Sequence, residues 1–224
     1  MKNVILLLLF VVSSFRAATA QETIEAKLAK VSNPTDPESV IKWAIDTKDM
    51  ELLKYGVEKA GSAIKKMAYS YNNIGINKGS MFLGMTPLMQ ASAIGNLEMV
   101  NYLIDQKVDV DAACKAPVYT YTGTMYDTFS GSAKGITAIH FAAQIGNKEI
   151  VQALVDAGTD FTSSFLEINP KGYVPIQVKS GLSCTPKQWA KQYGQTEIEE
   201  LLKESKKGAF KQMWANPGGT KKKK

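Results

Sequence analysis

The sequence predicts an all-α fold, a solenoid of about four helix pairs, and three observations predict it. First, Gly84-Met-Thr-Pro-Leu-Met-Gln-Ala-Ser-Ala-Ile-Gly-Asn-Leu-Glu-Met-Val is answered by Gly135-Ile-Thr-Ala-Ile-His-Phe-Ala-Ala-Gln-Ile-Gly-Asn-Lys-Glu-Ile-Val. Second, fainter copies flank this pair, around Trp43-Ala-Ile-Asp upstream and Thr185-Pro-Lys-Gln-Trp-Ala downstream. Third, alignment of the copies puts Glu51, Glu98, Glu149 and Glu197 at one position, each followed by an apolar residue. A repeat of this kind means stacked helix pairs, because no single unit buries its own apolar face. Such stacks hold other proteins more often than they carry out chemistry.

The units are expected at about residues 39–67, 84–114, 135–164 and 185–205. Thr86-Pro87 and Thr185-Pro186 fit helix starts, with Thr as N-cap and Pro at the first helical position. Gly95, Gly146 and Gly194 each stand three residues before their Glu, placed to end the first helix of a pair in a left-handed conformation.

These residues resemble the ankyrin repeat, whose helix-opening motif reads T-P-L-H-x-A. Thr137-Ala138-Ile139-His140-Phe141-Ala142 keeps Thr, His and Ala, and Thr86-Pro87-Leu88-Met89-Gln90-Ala91 keeps the proline but loses the histidine. The Gly-Ala-Asp-Val-Asn ending of that family survives as Val108-Asp109-Val110-Asp111 and Gly158-Thr159-Asp160-Phe161. The aligned glutamates are 47, 51 and 48 residues apart, whereas an ankyrin unit is about 33 residues long. The surplus falls in the connections at residues 68–83, 115–134 and 163–183, which the resemblance identifies as unusually long β-hairpin fingers.

Residues 1–20 read as a signal peptide, with Lys2 in the positive region, an apolar core at residues 4–12 and Ala18-Thr19-Ala20 as a small-residue cleavage site. So short an apolar core does not span the roughly 30 Å of a bilayer. The mature chain is therefore expected near Gln21, in a bacterial periplasm and without stable membrane insertion. Its length suits one domain.

The formal charge of +6 misleads if taken whole. Residues 206–224 hold seven lysines and no acid, and the signal peptide holds two further basic residues. The repeat body that remains has 18 basic and 21 acidic residues, a balance of −3. That argues against a nucleic-acid footprint, which places positive charge along a folded face. The lysine run suits a solvated end, with contact to an anionic surface as the alternative. Phe210, Met213 and Trp214 within it suit a lid over the last helix pair, or a hook for a partner.

No constellation for catalysis or metal binding is legible. A zinc site needs three or four convergent ligands, and the chain has one histidine and two cysteines. The resemblance gives His140 a structural role. No phosphate-cradling glycine motif occurs. The chain reads as a non-enzyme without cofactors. An oxidising compartment raises a Cys114–Cys184 disulfide, against two buried thiols acting as small apolar residues.

The fingers carry aromatic residues where linkers would be polar: Tyr69 and Tyr71, then Tyr119, Tyr121, Tyr126 and Phe129, then Tyr173. Tyrosine is enriched at recognition surfaces, although these rings can also hold long hairpins together. The resemblance implies binding along a concave face of finger tips and first helices, which adds Ile94 and Ile145. Both isoleucines would alternatively be packed beneath the fingers.

Of two kinds of secreted bacterial ankyrin protein, the chain is similar in organisation to the first. One comprises periplasmic self-protection (immunity) proteins of predatory bacteria, which inhibit the cell's own peptidoglycan endopeptidases. The other supports periplasmic enzymes such as catalase. The resemblance to the first implies a chain that is monomeric when free and binds a periplasmic hydrolase. An exported effector that binds a host protein is the third expectation.

Overall fold

The computed structural model describes residues 22–74, 77–120, 128–161, 167–168 and 185–204. Helix α1 spans Ile24–Leu28, and four helix pairs follow. These are α2 (Pro37–Asp46) with α3 (Met50–Ala60), α4 (Pro87–Ala93) with α5 (Leu97–Asp105), and α6 (Ala138–Ile145) with α7 (Lys148–Asp156). The last is α8 (Pro186–Gln192) with α9 (residues 196–204). A 3-10 turn at Gly61–Lys66 extends α3.

Local signals fix the helix ends. Asp36, Thr86 and Thr185 cap the first helices of their pairs with Pro at the next position, and each side chain accepts from the first turn. The second helices are opened by Asp49, Asn96 and Asn147, which accept from Leu52 N, Met99 N and Ile150 N at 3.0, 3.1 and 3.0 Å. Each such cap contributes about 1 kcal/mol relative to alanine. Gly95, Gly146 and Gly194 take φ of +73°, +75° and +72°, as the repeat alignment requires. In the first unit the same position is Lys48, which adopts φ +57° despite its side chain.

The core runs continuously through the stack. Ile41 and Ile45, Leu52 and Leu53, Met99 and Leu103, and Ile150 and Leu154 are fully buried, mostly at helical i, i+4 spacing. Burying each such side chain stabilises by about 1.5–3 kcal/mol. First helices pack on first helices (α2 on α4, α4 on α6, α6 on α8), and second helices pack on second helices (α3 on α5, α5 on α7). Helix α1, not anticipated from the repeats, closes the N-terminal end. Its Lys27 Nζ lies 2.9 Å from Asp49 and 2.8 Å from Glu51, at the start of α3.

The stack is helical as expected, but all-α leaves out a sheet. Strands β1 (Tyr69–Ile74) and β2 (Asn77–Met85) form the first finger, and β3 (Cys114–Thr120) and β4 (Thr128–Ile136) the second. With β5 (Glu167–Ile168) they make one five-stranded antiparallel sheet in the order β1-β2-β3-β4-β5. Leu83 pairs with Lys115 to join the first two fingers, and Ala133 pairs with Ile168 to join the third. Among the described residues no helix is long and apolar enough to cross a membrane.

Candidate protein-interaction surface

Among the described residues the base of the first finger is strapped onto the first helices. Tyr69 and Tyr71 are 4% and 6% exposed. The Tyr69 hydroxyl donates to Gln90 Oε1, and the Tyr71 hydroxyl donates to the Asp46 carboxylate. Gln90 is itself fully buried, and its Nε2 donates to the Lys42 carbonyl at 3.1 Å and to Asp46 Oδ1 at 2.8 Å. Lys42 completes the strap: its Nζ donates to the Ser70 carbonyl at 3.2 Å and stands 5.5 Å from the Tyr69 ring centre. Burial pushes the Tyr69 phenol well above its usual pKa, and burial with the Asp46 carboxylate pushes Tyr71 up as well. Farther along, Phe82 meets Phe141 of α6 edge-on with ring centres 5.4 Å apart.

This corrects the expectation that Tyr69 and Tyr71 face a partner. Their hydroxyls are satisfied inside the protein and their rings are out of water, so they hold the hairpin instead. The acceptors, Gln90 and Asp46, escaped the sequence reading. A signal was available, because Gln90 stands at the repeat position that holds Phe141 and Trp189 in later units, where a polar side chain needs a buried partner.

The other expected contact residues fall into three groups. Ile94 and Ile145 are half-buried and not bare groove residues. Ile94 packs on the core, and Ile145 Cδ1 lies 3.3 Å from where a Cβ on Gly95 would sit, filling the space between adjacent units. Tyr119 and Phe129 are on β3 and β4, where the register sets them directly opposite each other. Tyr121, Tyr126 and Tyr173 lie outside the described residues.

Cys114 opens β3 as a buried cysteine, and Cys184, the other half of the disulfide considered from the sequence, lies outside the described residues. Burial pushes the Cys114 thiol up to about 12. His140 is 1% exposed and its Nδ1 accepts from the Thr137 backbone N–H at 3.2 Å, in a capping box that opens α6. Trp189 meets the imidazole edge-on at 6.1 Å. The ring is thus built into the helix start. Among the described residues no group of three or more His, Cys, Asp or Glu is placed to hold a metal ion.

With the first finger drawn onto the first helices, the exposed large apolar side chains among the described residues are Leu83 and Trp43. Leu83 is 46% exposed on β2, where the first two fingers join, and neighbours the exposed Lys115 in register. Trp43 is 39% exposed on α2, one turn from Asp46 and Thr47.

No curated protein is significantly similar to the chain. A model of ankyrin repeats in three copies matches residues 20–164, more than half of the 224 residues. Repeats of that family are generally non-catalytic modules for protein–protein interaction. With helix pairs capped at Thr86, Thr137 and Thr185, left-handed Gly95, Gly146 and Gly194, and hairpin fingers between them, the chain belongs to the ankyrin-repeat family.

Proposed function

We propose that the protein is an exported, non-catalytic binding module that docks on a periplasmic hydrolase, a peptidoglycan DD-endopeptidase, and inhibits it sterically as a self-protection protein. The ankyrin repeats support the binding role. The signal-like residues 1–20 support export, with a short apolar core and an Ala-x-Ala site. The observation that carries the mode of binding is the strapped first finger. Its base is tied to the first helices through Tyr69, Tyr71 and Phe82, and Leu83 stays exposed on the opposite side of the strand from buried Phe82. A partner then meets a broad finger sheet, which suits covering the mouth of an enzyme whose substrate is a polymer. No chemistry is required of the inhibitor.

The test uses the mature chain from residue 21 onward, titrated against purified peptidoglycan endopeptidases acting on isolated cell wall. Stoichiometric inhibition, with a complex that co-elutes on gel filtration, is the expected result. Full endopeptidase activity at saturating chain, together with capture of catalase or another enzyme without loss of its activity, would reject the inhibitor reading.

A further inference from the structure

The outer helices of the third and fourth units leave an open groove of about 560 Å³ between α7 and α9. Lys148 and Gln152 form one wall, and Glu197, Glu200, Leu201 and Glu204 form the other. Those α9 positions are spaced i, i+3, i+4 and i+7, so they make a single acidic stripe with a leucine at its middle. Internal neutralisation is incomplete. Lys148 approaches Glu197 only to 3.9 Å, and Lys203 bridges Glu200 at 3.1 Å from outside the lining. The lining thus sets three carboxylates against one ammonium group.

The described part of α9 ends at Glu204, at the rim of this groove, and the sequence continues for twenty residues to Lys224. Residues 206–224 hold seven lysines, no acid, and Phe210, Met213 and Trp214. The stripe from Glu197 to Glu204 is about 10 Å long at 1.5 Å per residue. An extended chain covers about 3.3 Å per residue, so residues 209–214 are long enough to run back along it after a reversal at Gly208. Lys211, set between Phe210 and the Met213-Trp214 pair, and the Lys221–Lys224 run beyond them complement carboxylates that flank a leucine.

We infer that the groove between α7 and α9 is the docking site of the chain's own C-terminal segment, with Lys211 or the Lys221–Lys224 run on the Glu197–Glu200–Glu204 stripe and its apolar side chains over Leu201. This goes beyond the inhibitor reading and stands without it, because it concerns the free protein. Docking through exposed charges is sensitive to salt, since the Debye length is about 8 Å at physiological ionic strength.

Two measurements on the full mature chain test it. Zero-length carbodiimide coupling at low salt, mapped by mass spectrometry, should join Lys211 or the Lys221–Lys224 run to Glu197. Couplings from Lys206 and Lys207 are disregarded because they are sequence neighbours of Glu204. Tryptic cleavage after Lys211 should be several-fold slower than in the triple variant Glu197→Gln, Glu200→Gln, Glu204→Gln, and 0.5 M salt (on the order of a 4–5 Å Debye length) should remove the difference. The Glu197 and Glu200 side chains are 79% and 56% exposed, so circular dichroism should find the variant folded. Equal cleavage rates in the two proteins, or Lys211 couplings scattered over acids of α2, α3 and α5, would overturn the inference. So would tail-dependent binding to phosphatidylglycerol vesicles with none of the expected couplings.

Discussion

The Tyr69 hydroxyl donates a hydrogen bond to Oε1 of Gln90, a glutamine with no exposed surface, and ties the first finger to the second unit's first helix. The same glutamine holds Asp46 and the Lys42 carbonyl. One buried amide thus joins a hairpin to two neighbouring repeats.

Tyr69→Phe should destabilise the domain by about 1–3 kcal/mol, because it leaves the Gln90 oxygen buried without a donor. Tyr71→Phe should cost less, since its acceptor Asp46 is exposed and regains water. Urea unfolding followed by circular dichroism separates the two. An equal loss would mean that the Gln90 oxygen is not the buried partner that matters.

Lys48→Gly and Lys107→Gly should each stabilise by about 1 kcal/mol, since both lysines sit at positive φ (+57° and +60°) where glycine carries no Cβ penalty. The reverse change discriminates by neighbour. A Cβ at Gly146 would come within 2.2 Å of Gln195 Oε1, while at Gly194 it meets nothing within 4 Å. Gly146→Ala should therefore cost more than Gly194→Ala. The difference should be about 1 kcal/mol, the worth of the Gln195 bond to the Gln144 carbonyl that must give way.

Stability should fall at alkaline pH. Burial raises the folded Cys114 thiol to about 12 from its ordinary 9.0, and raises the Tyr69 and Tyr71 phenols above their ordinary 10.0. A raised pKa means that the folded state keeps protons which the unfolded chain releases. Its contribution is whole below the unfolded pKa and is lost as pH climbs toward the folded one. For Cys114 that window opens near pH 9, and for the tyrosines near pH 10. Cys114→Ala should flatten the decline between pH 9 and 10 in urea titrations. The native thiol should resist a thiol reagent at neutral pH and react only on unfolding.

If the fingers recognise the proposed hydrolase, Leu83→Asp and the triple change of Tyr119, Tyr121 and Tyr126 to Ala should each raise its Kd about tenfold or more without unfolding the repeats. Deleting Lys221–Lys224 should alter association rate and salt dependence at most. Titration calorimetry beside a thermal melt reads both quantities. If the deletion abolishes binding and the tyrosine variant binds normally, recognition belongs to the tail.

The repeat was legible because its signals are local. Thr86 and Thr185 cap their helices, and the Gly95, Gly146 and Gly194 column is left-handed, as the alignment of copies requires. The Asn96 and Asn147 caps stood in the same alignment, one residue after the glycines, and needed only to be compared with Asp49. The disposition of the first finger was not legible in the same way. Whether Tyr69 faces out or in depends on a glutamine 21 residues away and on the turn that brings it near, and no periodicity encodes that distance. Leu83 was missed because a single apolar residue in a strand looks the same whether its face is covered or bare.

The pairing of Leu83 with Lys115 and of Ala133 with Ile168 wires each repeat to the next a second time, through the backbone of its hairpin as well as through its helices. A simple solenoid tolerates gain or loss of a unit, because each repeat touches only its neighbours along one seam. Here a deleted unit would also remove a hairpin from the middle of a hydrogen-bonded sheet and leave two strand edges without partners. The fingers thus tie neighbouring units together beyond their helices, so losing one unit should destabilise the chain by more than the loss of that unit's own helix packing.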